Sequence, residues 1–190
     1  MSTNLSAAPG APGFATSGEC AGCGFRPDRV TPADAAVSLR SFPSRWRSAL
    51  AVHLDDPDPE GILAGRTAPG EWTPLEHAGH VRDVLHALDI RLQRLLREDE
   101  PVLPETHVTP PAGANDQGVA VVLAALSVSA DQLAATVEQT LARDLDRWGR
   151  RAGERVSALD LMREAVHEGT HHLREAVRTI AELRTSSPVR

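Results

Sequence analysis

The sequence contains no lysine and no tyrosine. All 20 of its basic residues are arginine, which excludes Schiff-base catalysis, a lysine general base and a tyrosine general acid. Aromatic residues make up 3% of the chain against 41% hydrophobic overall, so a core must be built from Ala, Leu and Val. That composition favours helix packed on helix over a β-sandwich. The two cysteines, Cys20 and Cys23, are too few to staple a secreted scaffold. Basic charge is in deficit as well: the net charge is −6 and the pI about 5.7, which argues against a dedicated nucleic-acid binder. The longest nearly uncharged apolar stretch, Gly118 to Ala130, spans about a dozen residues and reads as a buried helix segment, not a membrane span. The opening MSTNLSAAPGAPGFATSG has neither a basic start nor an apolar run and does not read as a signal peptide. A cytoplasmic protein is the expectation.

The 190 residues divide into a disordered tail at 1–19, rich in Ala, Pro and Gly, a Cys-x-x-Cys segment at 20–30, and one helical domain at 31–190. Four helices are expected. Thr31-Pro32-Ala33-Asp34 opens the first, with Leu39, Phe42, Trp46 and Leu50 at helical spacing and Pro43 expected to kink or interrupt it. Thr73-Pro74-Leu75-Glu76 is a capping box, and Val81, Val84, Leu85, Leu88, Leu92 and Leu95 form the stripe behind it, ending near Glu98. The third helix starts near Asn115-Asp116 and runs through Val121, Val122, Leu126, Leu133, Val137 and Leu141. Ser157 opens the fourth, whose buried face is Leu159, Met162, Val166, Leu173, Val177 and Ile180. The connections Asp55–Gly70 and Pro101–Gly113 are too long for a simple up-down bundle, so crossover loops are expected. No useful period-two alternation occurs and no sheet is expected.

Histidine is where the chemistry concentrates. Of eight histidines, His77, His80 and His86 fall on the second helix and His167, His171 and His172 on the fourth. His167 and His171 are four apart and so project from one helix face, where both rings can reach one ion. A third imidazole from a facing helix would give a three-ligand site with an open position, the mark of a catalytic metal. His172 lies about 100° round the helix from His171 and is read as a non-ligand. His53, His86 and His107 are read as surface residues. Glu164 and Glu168 orient imidazoles or face water, and Gly169 marks either a close helix approach or chance. His77, one turn before His80, could be a fourth ligand, a general base, an outer partner of the metal, or a half-buried first-turn residue. Cys20 and Cys23 have the shape of half a zinc knuckle. With no second cysteine pair, three readings stay open: a knuckle completed by histidines or acids, a redox-labile pair, or a metal-free tail feature.

Trp72-Thr73-Pro74-Leu75-Glu76-His77-Ala78-Gly79-His80, with a histidine eight positions after the tryptophan, resembles the second helix start of the DinB/YfiT-like superfamily. His167-Glu168-Gly169-Thr170-His171-His172 resembles its later His-x-x-x-His, and the Cys-x-x-Cys-Gly-Phe opening resembles an actinobacterial branch. The resemblance covers roughly Val30 to Leu183. It implies an all-α four-helix bundle holding a divalent metal (zinc first, nickel or iron otherwise) through His80, His167 and His171. It also implies a small-molecule substrate and a thiol-dependent S-transferase of mycothiol type, or a related isomerase or hydrolase. In physical terms, an open metal position activates either a thiol or a water. Arg143, Arg147, Arg150, Arg151 and Arg155 are candidate donors to a thiol cofactor's polar groups, or simply cations complementing a helix C-terminus. The alternative function is a non-catalytic metal-binding or dimerising bundle with a regulatory role. Neither a nucleic acid nor a membrane is expected as a partner.

Overall fold

A computed structural model of the chain describes residues 18–51, 58–105 and 113–186. Most of the tail expected to be disordered, together with His53 and His107, lies outside the described residues. Four long helices carry the fold: α1 (Pro32–Ala51), α3 (Pro74–Arg97), α5 (Val119–Gln139) and α6 (Ala158–Ser186), with the short α2 (Pro59–Leu63) and α4 (Ala114–Gln117) between them. A hairpin, β1 (Trp148–Arg151) and β2 (Glu154–Ser157), precedes α6.

The helix starts follow from the sequence. Thr31 Oγ1 accepts from Asp34 N at 3.2 Å and Ser157 Oγ accepts from Asp160 N at 3.1 Å. Thr73 forms the expected capping box, accepting from Glu76 N at 3.0 Å and donating its own N–H to Glu76 Oε2 at 2.9 Å. Each cap satisfies donors that the first turn leaves unpaired. The predicted stripes of α1 and α3 are buried throughout, and α1 runs through Pro43 without interruption. The third helix instead breaks at Gly118, whose φ of 76° and ψ of 151° suit only glycine, so that α4 and α5 are separate. Val121, Leu141 and Val177 prove exposed.

Each of α1 and α3 packs against both α5 and α6, which places α1 diagonal to α3 and α5 diagonal to α6. Two consecutive pairs of long helices therefore sit across the bundle from one another. This geometry demands the long connections α1–α3 and α5–α6. The second of these contains the hairpin that sequence reading missed. Its strands are four residues each, and only Gly149 and Val156 are buried, so no alternating apolar signal exists to find. Trp148 pairs with Ser157 and Arg151 with Glu154 around an Ala152-Gly153 turn with φ values of 51° and 85°. Both positive angles are what a tight hairpin requires. The loop after α3 is stitched to it by Leu103 N to Arg150 O at 2.7 Å and Arg150 N to Pro101 O at 2.9 Å.

At 21 residues α5 is longer than the stretch read from the sequence, and by length and composition it is apolar enough to cross a membrane. Its polar contacts tie it into the bundle: Arg40 of α1 meets Asp131 at 3.1 Å and Glu138 at 2.8 Å, and Thr136 bonds Asp89 of α3. The core runs the length of the bundle, with Trp46, Phe42, Leu85, Leu88 and Leu133 essentially inaccessible. Each such side chain contributes about 1.5–3 kcal/mol by leaving water.

Candidate metal centres

Near the middle of α6 the chain reads His167-Glu168-Gly169-Thr170-His171-His172. Successive side chains on a helix are turned by about 100°, so 167 and 171 share one face while 168 and 172 share the next. Both faces are occupied, by different neighbours.

The first face meets the segment before α1. Cys20 and Cys23 lie in a tight turn closed by Gly24 N to Cys20 O at 2.7 Å and Cys20 N to Phe25 O at 2.9 Å. This turn sits over α6, where the ligand atoms of Cys20, Cys23, His167 and His171 all lie within 4.8 Å of one another. Cys20 Sγ is 3.6 Å from His171 Nδ1. Gly22 lets the turn come this close: a Cβ there would stand 2.8 Å from His171 Cε1. Burial acts to raise the Cys20 thiol, but bonds from His167 and from the turn's backbone outweigh it and bring the pKa from 9.0 down to about 6. Burial dominates at Cys23 and pushes it up to about 11.

The second face meets the start of α3. His80 Nε2 lies 3.2 Å and His172 Nε2 3.3 Å from Glu168 Oε2, and these three ligand atoms also fall within 4.8 Å of one another. His77 reaches across from α3, its Nδ1 2.9 Å from His172 Nδ1. Trp72 covers the group, stacked on His172 at 5.5 Å with an interplanar angle of 11° and edge-on to His80 at 5.0 Å. His80 and His172 are each 3% exposed. Burial, then the neighbouring imidazoles and Arg178, drive His77 down to about 3, so its ring is neutral. Burial likewise lowers His172. Glu168 is the opposite case: burial opposes its charge, but the imidazoles of His167, His172 and His80 prevail and hold it well below the ordinary carboxylate range.

The expected trio of His80, His167 and His171 is thus divided between two groups. His80 faces inward as expected, but its companions are Glu168 and His172. The residue set aside for lying about 100° from His171 belongs to the second group for that very reason. Glu168, expected as an orienting residue, stands among the ligand atoms, whereas His77 occupies an outer position. His86 is exposed on α3, as expected. A second i,i+4 pair, Glu168 and His172, was present in the sequence beside the first. Reading one pair of histidines hid it.

A cavity of about 90 Å³ opens beside the second group, lined in part by Trp72, His77, His171, His172 and Arg178. The arginines considered as cofactor donors are elsewhere. Arg147 donates to Glu98 O at 2.7 Å, Arg151 grips both oxygens of Glu164 at 2.9 and 2.8 Å, and Arg150 and Arg155 lie over Trp148. Arg147, Arg150 and Arg155 gather at the C-terminal end of α3, about 22 Å along the helix from His80 at about 1.5 Å per residue, whereas Arg151 is held on Glu164, one turn of α6 before Glu168. None of them lines the cavity beside the second group.

The second group suits a divalent cation. A neutral imidazole and an ionised carboxylate face each other, and His172 Nε2 is buried without a well-formed hydrogen bond among the described residues. Two nitrogens and one carboxylate form a three-ligand set known for catalytic zinc.

The fold and these histidine-rich segments define the class: the chain belongs to the DinB superfamily, which matches it over residues 42–176. Among solved structures it is similar to YfiT from Bacillus subtilis, described as a "probable metal-dependent hydrolase with an unusual four-helix bundle topology". The two share 16% identity over 82% of this chain and 89% of that one, with a TM-score of 0.70, which establishes the shared fold. No curated protein matches the chain.

Proposed function

We propose that this protein is a metal-dependent enzyme that directs a small nucleophile, a low-molecular-weight thiol of mycothiol type or water, onto an electrophilic small molecule. The observation that carries the reading is the convergence of His80, Glu168 and His172 from two helices beside an open cavity. Zinc is the first candidate for this donor set, with nickel and iron also suited to imidazole and carboxylate. When bound there, such an ion supplies Lewis acidity and lowers the pKa of the nucleophile.

The chain's own residues do the rest. For His172 Nε2 to act as a ligand, its Nδ1 carries the proton and donates it to His77 Nδ1, which leaves the Nε2 lone pair directed to the site. Because His77 stays neutral, that arrangement persists across physiological pH. Glu168 provides one negative charge, which offsets half that of a divalent ion. Trp72 covers the imidazoles and keeps bulk water off them. Arg178, at the cavity wall and paired with Glu175 and Glu182, offers a guanidinium to an anionic group of the substrate or thiol.

The test combines metal analysis with turnover. Replacing His80 and His172 together by alanine is expected to remove one ion per chain and abolish metal-dependent consumption of substrate. A panel pairing several thiols, or water alone, with electrophiles separates transfer from hydrolysis. Metal bound at full stoichiometry with no turnover across the panel would favour the regulatory-bundle alternative. Unchanged metal content in the double variant would refute the ligand assignment.

A further inference from the structure

The four ligand atoms on the other face of α6 are a donor set of a different kind. Two thiol sulfurs and two imidazoles within 4.8 Å of one another make a soft, four-membered set. Cys2His2 with tetrahedral preference is the composition of structural zinc sites, which leave no position open for a reactant. We propose that Cys20, Cys23, His167 and His171 bind a second, structural zinc ion that fastens the N-terminal segment onto α6.

Three features outside the ligand set support the assignment. The Cys-Ala-Gly-Cys-Gly turn has the backbone of a metal knuckle, with Gly24 in the left-handed region at a φ of 69° and Gly22 in contact with the His171 ring. The segment that follows runs along α6 and is held there at intervals. Arg174 donates to Cys23 O, the Phe25 ring lies 5.3 Å from that of His167, and Arg163 donates to Val30 O at 3.2 Å. Arg163, His167, His171 and Arg174 form one stripe at spacings of four, four and three, so the whole stripe is devoted to this segment. Finally, the segment contributes little apolar area of its own. Its buried residues are Cys23 and Pro27, with Phe25 half-buried, too little to order about ten residues against their conformational entropy without a further tie.

Such an ion would also fix the α6 backbone between the ligands of the His80–Glu168–His172 group, because His167 precedes Glu168 and His171 precedes His172. The His171 ring borders the cavity as well, so the knuckle forms part of the cavity wall.

Cobalt substitution of the full-length protein separates the two centres, since only the Cys20–Cys23–His167–His171 set contains thiolates. The wild-type protein is expected to bind about two ions per chain and to show thiolate-to-cobalt charge-transfer absorption in the near ultraviolet. That band should disappear in Cys20→Ser/Cys23→Ser and in His167→Ala/His171→Ala, and survive in His80→Ala. Alkylation of the unmutated protein provides a readout that does not depend on the folding of any variant. The Cys20 thiol should resist iodoacetamide in the zinc-loaded protein and react after chelation. A band lost in His80→Ala but kept in His167→Ala/His171→Ala would overturn the assignment. So would equal alkylation rates with and without zinc. Neither readout uses catalysis, so failure of the proposed enzyme activity would leave this result standing.

Discussion

Gly169 connects packing to function, and Gly169→Ala tests that connection. A Cβ at this position would lie 2.2 Å from Cε2, 2.4 Å from Cζ and 2.9 Å from Cδ2 of Phe42 on α1. Carbon atoms in contact prefer about 3.5–4.0 Å, so the overlap exceeds an ångström. Phe42 is fully buried in the core. In an exposed helix the same substitution would stabilise by about 1 kcal/mol. Here overpacking costs about 3 kcal/mol, the upper end of the usual range, because three ring atoms clash at once. The net expectation is a loss of about 2 kcal/mol, equivalent to about 4–8 °C in melting temperature for a domain of this size. Urea denaturation of both proteins measures it, and the double variant Phe42→Leu/Gly169→Ala should recover part of the loss. Glu168 and Thr170 flank the glycine, so a forced shift of α6 should also weaken metal binding at both centres. A Gly169→Ala protein as stable as wild type, or more so, would refute the claim that this glycine exists to let α1 approach.

Three further outcomes are expected. Thr73→Ala removes the capping-box acceptor at the start of α3 and a bond to Asn115 Oδ1 at 2.7 Å; it should cost about 1–2 kcal/mol in chemical denaturation. His77→Ala deletes the partner that fixes the His172 ring and should weaken zinc binding at the His80–Glu168–His172 centre by about 10–100-fold in competition titrations, while the thiolate-to-cobalt band stays unchanged. Ala152→Gly relieves a non-glycine residue at a φ of 51° in the hairpin turn and should stabilise by about 1 kcal/mol by the same denaturation assay, a gain that Ala152→Val would reverse.

The bundle was legible because its signals are local. Thr73 with Glu76, Ser157 with Asp160 and Thr31 with Pro32 mark helix starts within four residues, and in α1 and α3 every apolar residue of the stripe behind them is buried. What escaped depends on context. The hairpin has no apolar alternation, because its strands lie at the surface and pair mainly through Arg150, Arg151, Glu154 and Arg155. The break between α4 and α5 rests on one glycine whose conformation is set by the turn. Pro43 does not break α1, because burial of Leu39, Phe42 and Trp46 around it outweighs one missing donor.

The site was half legible for a geometric reason. A helix offers each neighbour a stripe of i, i+4 positions, and the sequence His-Glu-Gly-Thr-His-His contains two such stripes shifted by a single residue. One stripe carries two imidazoles and the other a carboxylate and an imidazole, so both suit a metal. The choice between them turns on which stripe faces α3, and that depends on how α6 is rotated within the bundle. The rotation is fixed elsewhere, by Leu161, Met162, Ala165, Ala176 and Ile180 in the core and by Gly169 against Phe42. Those contacts turn 168 and 172 towards His80 and leave 167 and 171 pointing at the segment before α1. The Cys-x-x-Cys motif then stands opposite the two imidazoles that His80 does not meet. Two motifs that each looked incomplete in the sequence, half a knuckle and an unmatched histidine pair, thereby make one complete four-donor set.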